Sequence, residues 1–159
     1  MKFRRLNAEE LDSLQQDFIK FLASNTVTAD DWKSMQKNSP EKSEEMIDVF
    51  SDIVFEKILG NIKFMQHRFP QELRVYKFDE KEASAIVLRF KSEGLDLTSN
   101  DDVQGVATGK IDLTKYAPEV LHGTRAYRSS RKEEMFVLME QGAKPCKEAF
   151  WLSIAKMLN

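Results

Sequence analysis

Four acids recur at every fourth position from Glu44: Glu44, Asp48, Asp52 and Glu56. At 3.6 residues per turn this spacing stacks them along one face of a helix, with a slow drift around it. Glu41 and Glu45 widen that face, and Met46, Ile47, Val49, Phe50, Ile53 and Val54 lie on the apolar side opposite. Past Val54 the rule breaks, because Phe55, Leu59 and Ile62 fall on the acid side. Like charges four residues apart cost a few tenths of a kcal/mol per pair, so the ladder is not there to stabilise an isolated helix. Glu41, Glu44, Glu45 and Asp48 read as a solvated face. Asp52 and Glu56, beside Phe55 and Leu59, need cover from the rest of the chain or from a partner, and a covered carboxylate needs a cation or a hydrogen-bond donor.

The flanking sequence supplies helix start and stop signals. Asn7 followed by Glu10 reads as a capping box for a first helix that keeps its apolar spacing to about Ala23. Thr28 with Asp31 repeats the grammar for a short second helix ending near Asn38. Ser39-Pro40 opens the ladder helix, which is expected to reach about Met65, with Pro70 closing the region. Residues 73–78 and 85–90 are rich in β-branched and aromatic residues and predict an antiparallel pair of strands. Residues 95–97 and 103–113 are expected to add short irregular strands, with a turn at 99–102, and residues 114–128 carry no clear pattern. Ser130 with Glu133 caps another helix, Gly142 stops it, and Pro145 opens a last one with Cys146, Phe150, Ile154 and Leu158 on its apolar stripe. The expected fold class is α+β, with N-terminal helices, a small antiparallel β-sheet and C-terminal helices, in a single domain over residues 1–159.

Composition excludes several functions. No apolar run approaches the roughly 20 residues that span a bilayer. The basic opening Met1-Lys2-Phe3-Arg4-Arg5 leads into Glu9, Glu10 and Asp12 rather than an apolar signal core. The expected location is therefore the cytoplasm, with no membrane partner. One cysteine, Cys146, rules out an internal disulfide and a cysteine-based zinc site. A net charge of −2 gives the whole molecule no general attraction to nucleic acid. The charge is uneven, however: residues 28–56 carry −5 and residues 122–132 carry +4.

Arg125, Arg128 and Arg131, with Tyr127 between them and Lys132 after, form the basic candidate site. Arg131 and Lys132 lie in the first turn of the helix capped by Ser130, where exposed N–H groups and the helix dipole favour an anion. That anion is a phosphate, an RNA backbone or an acidic counterpart, Asp52 and Glu56, within the chain or from another subunit; the alternative is a plain solvated basic loop. His122 sits beside this row, but no base or nucleophile partner for it is evident. His67, Trp32 and Trp151 read as structural, and Cys146 as a buried thiol. The acid ladder resembles half of a helical di-metal site, but no histidine stands at the spacing such sites use, so no metal is assigned. Gly105-Val106-Ala107-Thr108-Gly109-Lys110 fails as a phosphate loop: three residues separate the glycines where four are needed, and Ile111 follows the lysine.

The opening Arg4-Arg5-Leu6 joins Phe21-Leu22-Ala23, Thr28-Ala29-Asp30-Asp31-Trp32, Asp48-Val49-Phe50-Ser51-Asp52 and Arg131-Lys132-Glu133-Glu134-Met135-Phe136 in a recognisable set. With these segments the chain resembles an uncharacterised family of small Bacteroidota proteins. The resemblance implies a cytoplasmic bacterial protein and brings no activity, cofactor or catalytic residue. The residues themselves favour an interaction module, as a homodimer or with another protein partner. A phosphate- or RNA-binding protein using the arginine row is the alternative, and an enzyme with a site near His122 is the third reading.

Overall fold

The computed structural model describes residues 1–91 and 93–158. They form two compact units, Met1–Leu59 and Gly60–Asn159.

The first unit is helical. Helix α1 (Ala8–Ser13) starts at Asn7, whose side chain accepts the Glu10 N–H while the Glu10 carboxylate accepts the Asn7 N–H. The helix expected to continue to Ala23 is broken at Leu14, and α2 (Gln15–Ser24) follows. Helix α3 (Ala29–Asn38) opens on the predicted Thr28–Asp31 box. The ladder helix, α4, runs over Pro40–Asn61 and so ends four residues short of Met65. Phe18 is the hub of this unit's core: its ring centroid lies 5.2 Å from that of Trp32 and 5.0 Å from that of Phe50. Phe21 adds a further ring against Phe50 at 5.4 Å.

The second unit is a five-stranded antiparallel sheet with helices. Strands β1 (Phe64–Phe69), β2 (Glu72–Phe78), β3 (Glu82–Arg89), β4 (Glu119–Ala126) and β5 (Lys144–Pro145) lie in the order β4-β3-β2-β1-β5. The predicted pair is β2 and β3, in register from Glu72 opposite Arg89 to Phe78 opposite Ala83. Leu73, Val75, Ile86 and Leu88 share one face and are buried with Val103, Val106 and Ile154. The last three come from α5 (Asn100–Thr108) and α7 (Glu148–Ala155), which cover that face. Helix α6 (Arg131–Glu140) begins at the predicted cap, Ser130 accepting the Glu133 N–H, and lies over the other face.

The second unit departs from the sequence pattern in its middle and at its last helix. Residues 95–97 and 103–113 are not strand: the former are loop and turn, and in the latter Ser99 begins α5, Asp101 and Asp102 sit in its first turn, and Gly109 ends it at φ +79°. Gly105 lets Ile111 fold back on the helix, since a Cβ there would stand 2.6 Å from Ile Cδ1. Residues 144–145 are strand β5, so the last helix starts three residues after Pro145, and Cys146 precedes it. Residues 114–128, patternless in sequence, hold an eight-residue strand, β4.

Candidate functional site

The acidic counterpart is explained within the first unit. The far end of the ladder is covered as its side chains require: Phe55 is 4% exposed and Leu59 fully buried. The chain's own first residues run antiparallel to α4. The Arg5 guanidinium donates to both Asp48 oxygens at 2.6 and 3.1 Å. The Lys2 and Phe3 N–H groups donate to Asp52, and Lys2 Nζ reaches Glu56 at 2.6 Å. Phe3 and Arg4 lie against the Phe55 ring, at 5.8 and 5.0 Å from its centroid. The spacing follows from geometry: a near-extended arm advances about 6.6 Å in two residues, and a helix about 6 Å in four. The Arg5 hydrogen bond holds the Asp48 carboxyl below its ordinary range. Of the acids expected to be solvated, Glu41, Glu44 and Glu45 are exposed, whereas Asp48 is half-buried under Arg5. The signal available in sequence was the pairing of a basic opening with an acidic ladder; nothing local links residues 43 positions apart.

The basic row spreads over three environments in the second unit. Arg125, near the end of β4, donates to Glu134 Oε1 at 2.9 Å, and the Arg128 N–H donates to the same oxygen at 3.2 Å. Arg131 donates to the carbonyls of Ile62 and Phe78. The Tyr127 hydroxyl lies 2.7 Å from the Asp79 carbonyl and 3.1 Å from that of Glu82, so it ties down the β2–β3 turn. Burial pushes the Tyr127 hydroxyl pKa up. His122 stands opposite Ile86, and Arg125 opposite Ala83. Since neighbours alternate along a strand, His122 and Arg125 project to opposite faces of the sheet. His67 packs on Phe69, and burial followed by the nearby Arg74 charge lowers its pKa. Burial raises the Cys146 thiol to about 11, so it is protonated at neutral pH.

Two features of this unit escaped the sequence. The first is the edge of the sheet. Strand β4 pairs with β3 along its full length, from Glu119 opposite Arg89 to Ala126 opposite Glu82, and is last in the sheet. Apart from half-buried Val120, all its residues are exposed. The second is a groove of about 740 Å³ between α6 and the sheet face bearing Tyr76, Phe78 and Arg125. The small residues Ala83, Ala85 and Gly123 form its floor. Both features lie where side chains are small or exposed, which leaves no hydrophobic periodicity to read.

By architecture this is an α+β protein whose antiparallel sheet has one long, open edge. By sequence, the chain belongs to a family of unknown function, DUF6495, matched over residues 1–159. No curated protein matches the chain, and no solved structure matches it. No helix among the described residues is long and apolar enough to cross a membrane.

Proposed function

We propose that the protein is a protein–protein interaction module that pairs through β4, with a second copy of itself as the partner. The carrying observation is the state of the two sheet edges. An edge strand presents a row of unpaired N–H and C=O groups, and proteins that must stay apart guard it with brevity, proline, lysine or a bulge. Strand β5 is guarded: it has two residues, one of them Pro145. Strand β4 has eight residues, no proline or lysine, an unbroken register with β3, and two charges of opposite sign, Glu119 and Arg125.

The sequence of β4 is complementary to itself. Antiparallel pairing about a two-fold axis at His122 sets Glu119 opposite Arg125 and Val120 opposite Thr124. It also sets Leu121, 41% exposed, opposite Gly123. A Cβ at Gly123 would have nothing within 4 Å, so a leucine from across the axis has room there. Opposite charges facing each other across strands contribute about 0.2–1 kcal/mol, and the symmetry repeats the pair twice. A single cysteine fits a reducing compartment such as the cytoplasm.

Amide hydrogen exchange at low and high protein concentration tests the reading. The outward N–H groups of residues 119–126 are expected to gain protection as concentration rises, while those of β5 do not. Unchanged exchange along β4 in a protein that remains monomeric overturns it.

A further inference from the structure

We infer that the groove between the sheet and α6 binds a small amphipathic amine, an ammonium head carried on an apolar body. The groove is lined by one chain and shares Gly123 and Arg125 with β4; its test reads ligand binding, whereas the test of pairing reads protection of the strand edge.

The apolar half of the argument is the shape. A volume of about 740 Å³ falls within the range of roughly 300–1,000 Å³ in which small-molecule sites occur. The floor is low because Ala83, Ala85 and Gly123 meet on one sheet face, Ala85 directly opposite Gly123. Tyr76 and Phe78 on β2 bound one side, and Val137 and Leu138 on α6 the other. Val137 is 52% exposed although it forms a groove wall, so an apolar guest has surface to remove from water there.

The polar half is Glu134. Its side chain is 16% exposed, and its two oxygens differ. Oε1 accepts from Arg125 and from the Arg128 N–H. Oε2 is buried and has no hydrogen-bond partner among the described residues. A buried oxygen left this way costs about 1–3 kcal/mol, more when it carries charge. An ammonium brings three donors and no acceptor, and so suits that oxygen once a small shift of the 16% exposed Glu134 side chain turns it into the groove. Charge selects the same head group: Glu133 and Glu134 line the groove against a single basic side chain, Arg125, leaving the lining with a formal charge of −1. A carboxylate or phosphate head would meet two acids and an arginine that is already paired.

Octylamine, octanoate and octanol share one chain length and serve as probes, titrated against the nitrogen-15-labelled full chain at neutral pH. Octylamine, protonated there, is expected to bind saturably and to shift the amides of residues 83–85, 123–125 and 133–138. It is expected to bind roughly tenfold more tightly than octanoate. Glu134→Gln is expected to weaken octylamine roughly tenfold and leave octanol unchanged. Ala85→Leu, which fills the floor without touching the carboxylate, is expected to weaken octylamine and octanol alike. Equal binding of octylamine and octanoate, an unaffected Glu134→Gln protein with its native spectrum, or no saturable shift in the groove overturns the inference.

Discussion

At the scale of single residues, the strongest constraints are polar groups that each join two parts of the chain. Ser51 is fully buried on α4; its hydroxyl donates to the Ile47 carbonyl at 2.7 Å and accepts the Leu6 N–H at 3.0 Å. Ser51→Ala strands the Leu6 N–H in an apolar setting, and urea unfolding is expected to show a loss of about 1–3 kcal/mol. Glu10 gives a pH signature. Hydrogen bonds from Arg4 lower its carboxyl from 4.5 to about 2, against the opposing effect of burial, and the Asn7 N–H adds to the lowering. A folded-state pKa below the unfolded one adds stability that is fully present above about 4.5 and is lost as pH falls towards 2. The side chain is about one-third exposed, so solvent screening reduces that contribution to roughly 1 kcal/mol or less. Glu10→Gln is therefore expected to flatten the pH dependence of the urea midpoint between 4.5 and 2 and to leave its slope at neutral pH unchanged. The caps at Asn7, Thr28 and Ser130 were legible in sequence because a cap and its partner lie three residues apart, and only local geometry decides the pairing. The arm on the ladder was not legible, because charge pairing at a distance leaves no period.

At the scale of elements, segments differ in how plainly their sequence advertises them. Strands β2 and β3 did so, since residues 73–78 and 85–90 are rich in β-branched and aromatic residues. Helix α5 did not: Val103 and Val106 favour strand by propensity, and Gly105 and Gly109 weaken a helix reading. Tertiary packing of both valines, fully buried beneath the sheet, overrides that preference. Gly105 then carries a steric duty. Gly105→Val is expected to force Ile111 off the helix, to lower stability by about 1–3 kcal/mol and to broaden the amide signals of residues 105–113. Phe64 and Met65, the first two residues of β1, fall within the expected ladder helix, which the sequence extends to about Met65. Pairing with β2 from Phe64 to Phe69 draws them into the sheet. The N-terminal arm behaves as an element too. Asp52→Ala removes the acceptor of two backbone N–H groups, and rapid hydrogen exchange at Lys2 and Phe3 is the expected consequence.

At the scale of the whole molecule, the α+β class follows from the sequence pattern, but the candidate functional surfaces do not. Charge is conspicuous in the arginine row, but most of that row serves the fold. Arg125 is held by Glu134, Arg131 by two backbone carbonyls, and Tyr127 closes a turn. The open surfaces lie beside them, on a strand whose exposed residues show no apolar alternation and in a groove floored by alanine and glycine. Small and exposed residues carry little sequence signal, yet they are what leaves a backbone edge and a cavity accessible.

Sedimentation velocity on four proteins tests the central claim, homotypic pairing through β4, most directly: the natural chain, Glu119→Arg, Arg125→Glu and the double reversal. The account predicts a concentration-dependent dimer for the natural chain, because Glu119 faces Arg125 across the axis. Each single reversal places like charges opposite each other at both ends and is expected to weaken the dimer roughly tenfold or more. The double reversal restores opposite charges across the axis, although Arg125→Glu sets a second acid beside Glu134 and Glu119→Arg a second arginine beside Arg89, so it is expected to dimerise more tightly than either single reversal and less tightly than the natural chain. A natural chain that stays monomeric throughout, or a dimer indifferent to both single reversals, would contradict it.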